Sequence, residues 1–291
     1  MTSTRRALCL VTAATALALP AGSASAAVTC SYSAAQKKAS VTATTTSPAA
    51  KVRRGFGGDA IVVNDMPCGE ATVQNTDTIA YVDMTNDLGT SLEVSLNSGP
   101  LAPGASSEVL GDEEIEITAA FGGGEDELRV AGAETPDHLR LGTMNDGRLG
   151  VDFDGGATTL DVDLEASGVD VLHVVGHQGD DDIRANGGAN FAAPVAMGLA
   201  IEGEQGDDVL RGGDGSDTVS GGSGFDTLRG GKGDDTLLPA EADDEVEGGL
   251  GQDEISYADT SQGVTLDLGE PAPQDTGGAG TETVGGVEDV T

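Results

Sequence analysis

Tryptophan is absent from this 291-residue chain, and aromatic residues make up only 3% of it. A globular core arranged around large aromatic anchors is therefore excluded, and any core has to come from stacked Val, Ile and Leu, as in a thin, elongated solenoid. Positive charge is scarce: 14 Lys and Arg stand against 50 Asp and Glu, for a net charge of −36. A polyanion of this kind repels nucleic acid and anionic membranes and resists its own compaction, so cations are the partner it lacks. Apolar runs long enough to span a bilayer, about 20 residues, are also missing. The one candidate, residues 7–19, follows Arg5 and Arg6 and ends at Pro20, Gly22 and the small-residue site Ala24-Ser25-Ala26. This pattern predicts a cleaved secretory leader over residues 1–26, exported by the general route in preference to the twin-arginine route that Arg5-Arg6 also suggests, and an extracellular mature protein.

Cysteine is nearly absent too. Cys9 leaves with the leader, so Cys30 and Cys68 remain as an even pair in an oxidising compartment. Bridging them closes a loop of about 39 residues, worth roughly 4 kcal/mol in the chain-entropy model. Ala27-Val28-Thr29 does not prepare Cys30 for lipidation. The metalloprotease pattern HExxH and the nucleophile elbow GxSxG are both missing, and in a polyanion the co-occurrence of carboxylates says little, so no enzyme is expected. His173 and His177 share one face of a strand without a third nitrogen or sulfur ligand and read as surface residues. The basic run Lys51-Val52-Arg53-Arg54 reads as a solvated turn docked on the acidic body.

Glycine, by contrast, is abundant, with 45 residues. Short β-prone pieces lie at 40–46 and 60–63, and runs alternating apolar and polar residues recur at 79–82, 92–96, 115–117, 128–130, 139–141, 149–153, 160–164 and 171–175, bounded by Gly, Asn or Asp. Alternation of this kind without helical periodicity predicts an all-β chain. Ile115, Leu128, Leu139, Leu149, Leu160 and Val171 follow one another at about eleven residues, which suggests a degenerate solenoid. Five segments are expected: a leader at 1–26, an N-terminal β module with the Cys30–Cys68 pair at 27–75, a degenerate β-solenoid at 76–175, a regular β-roll at 176–256 and a closing β segment at 257–291.

The regular part repeats a unit of nine. Residues 212–238 read GGDGSDTVS, GGSGFDTLR, GGKGDDTLL, and units starting at Gly176, Gly203 and Gly248 keep the phase. The unit at 239–247 loses its glycines but retains Asp244 and Val246, and residues 185–202 read as a looped-out insertion with only Ile201 in its slot. Positions one to six form a turn whose glycines admit positive φ, and positions seven to nine form a short strand with one inward aliphatic residue. Turn and strand alternating every nine residues give a coil of about 18, so turns two units apart stack on one edge about 4.8 Å apart. Asp208 then lies beside Asp226, and Asp217 beside Asp235. Stacked carboxylates with glycine carbonyl oxygens make a hard-oxygen environment, which selects Ca²⁺ over softer metals and suits Mg²⁺ poorly.

These units resemble the RTX (hemolysin-type) calcium-binding repeat, GGxGxDxUx with U a large aliphatic residue. The resemblance implies a parallel β-roll with Ca²⁺ held in its turns. It implies side-chain ligands at Asp208, Asp217, Asp226, Asp235 and Asp253. Backbone carbonyls around Gly212, Gly213, Gly215, Gly221, Gly222, Gly224, Gly230, Gly231 and Gly233 complete the shell. Asp181 and Asp244 are weaker candidates, because 194–202 offers Asp181 a poor stacking partner and the unit of Asp244 departs from the motif. The stretches 255–259, 263–268 and 287–290 resemble the segment that follows such repeats in secreted proteins of high-GC Gram-positive bacteria. The expected function is a secreted calcium-binding protein with structural ions. A carbohydrate-active or adhesive protein, using a solenoid face at 76–175 to hold a cell-wall or other extracellular polymer, is the alternative.

Overall fold

The computed structural model describes residues 28–44, 49–56, 58–84, 89–98, 115–153, 162–189, 191–258, 260–261, 263–269 and 272–291; the expected leader, Thr45 and Thr46, Leu160 and Asp161, and Asp259 lie outside them. Every helix or strand among the described residues is a strand, and the strands form one sheet of thirteen and one of eleven. The expected all-β class and parallel roll are what the chain adopts.

The nine-residue unit explains the local structure. Strands Thr218–Ser223, Thr227–Lys232 and Thr236–Leu238 each turn one aliphatic side chain inward, and Val219, Leu228 and Leu237 are all 0% exposed. Burying each contributes about 1.5–3 kcal/mol. Val219 pairs with Leu237, and Leu210 with Leu228, in parallel register 18 residues apart. Successive units therefore alternate between the two sheets. Along each sheet the aliphatic slots form a continuous column between the layers.

Both sheets run on towards the N-terminus with longer coils. Leu139 lies opposite Ile183 and Val130 opposite Val174, each 44 residues apart. The eleven-residue spacing thus marks strands but not coils. His138–Thr143 and Leu149–Asp152 pair antiparallel, with Arg140 opposite Asp152. The turn between them carries Gly147 at φ 86° and closes a hairpin where the solenoid reading expected a coil step. Further on, Glu116–Ala120 stacks on Thr78–Asp83, which stacks on Lys38–Ala43. Tyr81 is 1% exposed and packs against Phe121 with ring centroids 5.3 Å apart, one of the few aromatic contacts in the molecule.

The N-terminal end is closed by the strands expected at 40–46 and 60–63 together with three that the sequence did not disclose, at 28–33, 49–54 and 66–72. Val28–Ser33 forms a hairpin with Lys38–Ala43 at the end of one sheet, and Ala49–Arg54, Ala60–Val63 and Met66–Thr72 form a meander at the end of the other. The Cys30–Cys68 disulfide, with Cα atoms 5.2 Å apart, joins the last strand of each sheet. The basic run 51–54 is a strand rather than a turn. Its charges are tied individually: Lys51 to Glu93, Arg53 to Asp65 and Arg54 to Asp59, each at 2.6 Å.

Candidate metal centre

The two edges of the roll are made of turns, and each glycine in a turn has its own task. A Cβ on Gly221 would lie 2.2 Å from Oδ2 of Asp226, five residues on. The same relation joins Gly176 to Asp181, Gly203 to Asp208, Gly212 to Asp217, Gly230 to Asp235 and Gly248 to Asp253, at 2.1–2.7 Å. The first glycine thus makes room for a carboxylate. The fourth-position glycine serves the backbone: Gly224 has φ 137°, and a Cβ there would lie 1.9 Å from the carbonyl oxygen of Gly206 in the neighbouring coil. The carbonyls of Gly213 and Gly215 face Gly231 and Gly233 in the same way, 2.3 and 2.2 Å from where a Cβ would stand. Oxygen atoms of one coil therefore line up beneath the next.

The aspartates form two ladders. On one edge Asp181 N–H donates to Asp208 Oδ1 (2.7 Å), Asp208 N–H to Asp226 (2.9 Å) and Asp226 N–H to Asp244 (2.8 Å). On the other, Asp217 N–H donates to Asp235 (2.8 Å) and Asp235 N–H to Asp253 (3.0 Å). The expected neighbours, Asp208 with Asp226 and Asp217 with Asp235, are thus together. Asp181 departs from expectation, because the 27-residue step past the insertion stacks it directly on Asp208 rather than on 194–202. Asp244 also keeps its place without glycines, since Val246 still pairs with Leu228 and holds the strand in register.

All seven side chains are 1–3% exposed. One oxygen of each is held by the ladder, and Oδ2 of Asp181, Asp208, Asp226, Asp235, Asp244 and Asp253 is buried with no hydrogen-bond partner. Asp217 differs, because Leu199 N–H and Gly213 N–H satisfy both of its oxygens. Burial, followed by the neighbouring carboxylates and opposed by the ladder hydrogen bond, pushes Asp181, Asp235 and Asp244 up to about 7. Asp208 and Asp226 rise to about 6 for the same reasons, and Asp217 reaches about 6 through burial opposed by its two amide donors. An orphaned buried carboxylate oxygen costs on the order of 1–3 kcal/mol or more, and a row of them calls for a cation. Among the described residues no group of three or more His, Cys, Asp or Glu side chains could hold a metal ion. An ion here would take one carboxylate from a turn and complete its shell from the glycine carbonyls, a donor set of oxygen alone that fits Ca²⁺.

The ladders extend beyond the residues expected from the motif. Asp137 N–H donates to Asp181 Oδ1 at 2.8 Å, and Gly132 sits under Asp137 as Gly176 does under Asp181. At the other end Asp253 N–H donates to Glu288 (2.9 Å), and Glu282, 0% exposed with both oxygens unpartnered, stands in line with Asp244. Burial and the Asp244 carboxylate push Glu282 up to about 8. Counting in nines shows the signal: 132–140 is GAETPDHLR, and 277–285 is GGAGTETVG, with Glu in the aspartate slot. His173 and His177, by contrast, are each tied to side chains of neighbouring strands. His173 contacts Arg129 (2.7 Å) and Glu202 (3.0 Å), and His177 contacts Glu204 (3.0 Å).

The comparisons with known proteins agree with this geometry where they speak. Residues 200–228 and 220–255 match the model of the RTX calcium-binding nonapeptide repeat (4 copies). No curated protein and no solved structure matches the chain.

Proposed function

Since this chain is an RTX-type calcium-binding repeat protein with Ca²⁺ as the ion of its β-roll, we propose that it is secreted and that its ions are structural, completing a roll that carboxylate repulsion otherwise opens. One observation carries the reading: six buried aspartate oxygens, one per turn, have no partner in the protein. Bound Ca²⁺ would supply positive charge between stacked turns. The aspartates and glycine carbonyls would orient it, and the inward aliphatic residues would keep the turns in register. The proposed side-chain ligands are Asp181, Asp208, Asp226, Asp235, Asp244 and Asp253, with Asp217 contributing less because its oxygens are already satisfied. Affinity belongs to the extracellular class, with dissociation constants of about 10⁻⁴–10⁻³ M. Low calcium inside the cell then keeps residues 176–256 open, and calcium outside closes them. The leader at 1–26, the disulfide module at 27–75, the stack at 76–175 and the closing segment at 257–291 serve export and support.

The test is a far-UV circular dichroism titration of residues 27–291 with Ca²⁺, with Mg²⁺ as control. A cooperative gain of strand signal specific to Ca²⁺ is expected, weakened strongly by Asp226→Asn and less by Asp217→Asn. A spectrum indifferent to calcium sinks the reading.

A further inference from the structure

The outer face of the thirteen-stranded sheet carries a feature that calcium does not explain. Position nine of four stacked strands is arginine. Arg140 lies opposite Arg184, Arg184 opposite Arg211, and Arg211 opposite Arg229, in parallel register. Like charges directly across neighbouring strands destabilise a sheet. In the other sheet, by contrast, Lys51, Glu93 and Arg129 stand opposite one another in alternating sign. With 50 acidic residues to choose from, the arginine row is a departure that composition does not require.

The row is not evenly compensated. Arg140 and Arg184 share Asp182, at 2.9 and 2.6 Å. Arg229 reaches Glu245 and Glu247 only at 3.4 Å, in exposed pairs of little strength. Arg211 has no carboxylate partner among the described residues. The strand position that supplies Asp182 and Glu245 to its neighbours is Val209, and the buried Nε–H of Arg211 has no hydrogen-bond acceptor.

A groove of about 490 Å³ opens over this arginine. It is lined by the glycine turns, by Arg229, Lys232, Asp214 and Glu247, and by a wall of Asn186 and Pro194 from the insertion between Arg184 and Leu199. That wall is fixed, because Val195 N–H donates to Ala185 and Asp214 N–H to Val195. Phe191 covers Gly142 and Gly150, where a Cβ would lie 2.4 and 2.8 Å from its ring. Lys232 is held by Asp214 at 2.6 Å and Arg229 meets Glu247 of the same lining at 3.4 Å, which leaves Arg211 as the lining cation without a carboxylate partner among the described residues. Oδ1 of Asn186, in the same lining, is buried and lacks a donor.

We propose that this groove binds a hydroxylated organic anion of sugar-acid size. Its carboxylate would accept from Arg211 and Arg229, and a hydroxyl would donate to Asn186 Oδ1. The groove lies within the common range for small-ligand sites, and the two unpartnered atoms demand one acceptor and one donor from the same ligand. A neutral sugar leaves the arginine uncompensated, and a bare oxyanion leaves the asparagine without a donor. The site lies on 184–250 rather than on the 76–175 face and does not use the aspartate ladders.

Isothermal titration of the full mature chain in calcium buffer tests this, with glucuronate, glucose and inorganic sulfate as separate probes. Saturable glucuronate binding is expected, at least tenfold tighter than either control. Arg211→Ser should weaken it about tenfold or more, and Arg229→Ser by less. Asn186→Leu, a loop change that leaves the strands intact, should also weaken glucuronate while leaving sulfate unchanged, and it decides the matter if Arg211→Ser unfolds. Circular dichroism on the same samples separates loss of the groove from loss of the calcium-dependent fold. A short oligogalacturonate binding more tightly than the monosaccharide identifies a polymer as the source of the sugar acid, and equal binding identifies a free one. Glucuronate no tighter than glucose or sulfate, or unaffected by the folded variants, overturns the proposal.

Discussion

The turns between residues 203 and 256 and those between 78 and 178 support the same two sheets by opposite means. In the first region nearly every turn is the same, short and glycine-lined, and it buries a carboxylate. In the second, strands are longer and each contributes two inward aliphatic residues, such as Leu92 with Val94 and Leu128 with Val130, all 0% exposed. The first region economises on apolar surface and needs something to neutralise its charge. The second contains its own stabilisation in a broader core, next to an N-terminal end tied by the Cys30–Cys68 disulfide. The difference is one of density: Asp208, Asp226, Asp235, Asp244 and Asp253 each bury an unpartnered oxygen in the first region, against Asp126 in the second, so on the proposed reading the first is the part that calls for ions.

The largest effect should come from removing calcium. With a chelator, hydrogen exchange is expected to become fast across residues 199–256 while 78–83 and 127–131 stay protected; equal loss in both regions would erase the distinction. The disulfide acts on the other side of the comparison. Cys30→Ser with Cys68→Ser should cost roughly 4 kcal/mol in the stability of the N-terminal region. The calcium midpoint of the roll should stay the same, as read by parallel chemical denaturation and calcium titration.

Glycine substitution sharpens the contrast further. Gly224→Ala combines a positive φ with a carbonyl 1.9 Å from the new methyl group, and about 3 kcal/mol of destabilisation is expected in calcium. Gly263→Ala, with nothing within 4 Å, should change the melting temperature little. Acidity should favour only the roll. Asp208 and Asp226 titrate near 6, and Asp181, Asp235 and Asp244 near 7, in the folded state. They are ordinary carboxylates when unfolded, so the folded state binds more protons. The stability this gives is complete below about pH 4 and is lost as pH rises through 6–7. Calcium-free protein should therefore show more strand signal at pH 5 than at pH 8, while calcium binds more weakly at pH 5. The smallest effect belongs to the exposed cross-strand pairs. Glu93→Gln, which breaks the pair with Lys51, should cost less than about 0.5 kcal/mol by thermal melting.

Much of the roll was legible because one nine-residue unit is both the structural and the chemical repeat. The 18-residue register, the inward slots at Val219, Leu228 and Leu237, and the pairing of Asp208 with Asp226 follow from counting. What escaped was long-range or disguised. The hairpin at 138–152 has the same alternation as a coil step, and only its pairing tells them apart: Arg140 folds back on Asp152, and the parallel partner of Leu139 is Ile183, 44 residues on. Asp137 hid behind alanine and proline in its turn, and Glu282 and Glu288 behind one extra methylene. The arginine row was invisible in one dimension, because its members are spaced at 44, 27 and 18 residues and meet only once the insertion has been looped out.

The ladder hydrogen bonds all point the same way. Each buried ladder aspartate donates its amide to the carboxylate of the coil that follows it in the chain, while the residue just before it in the turn reaches back, as Asp207 N–H does to Asp180 and Phe225 N–H to Asp207. A coil so built has no finished edge of its own until its successor arrives, eighteen residues later in the regular part. The roll is a queue in which every member waits on the next. Shortening the late end by one coil is therefore expected to leave the aspartate amide of the turn before it unpaired rather than to trim a spare.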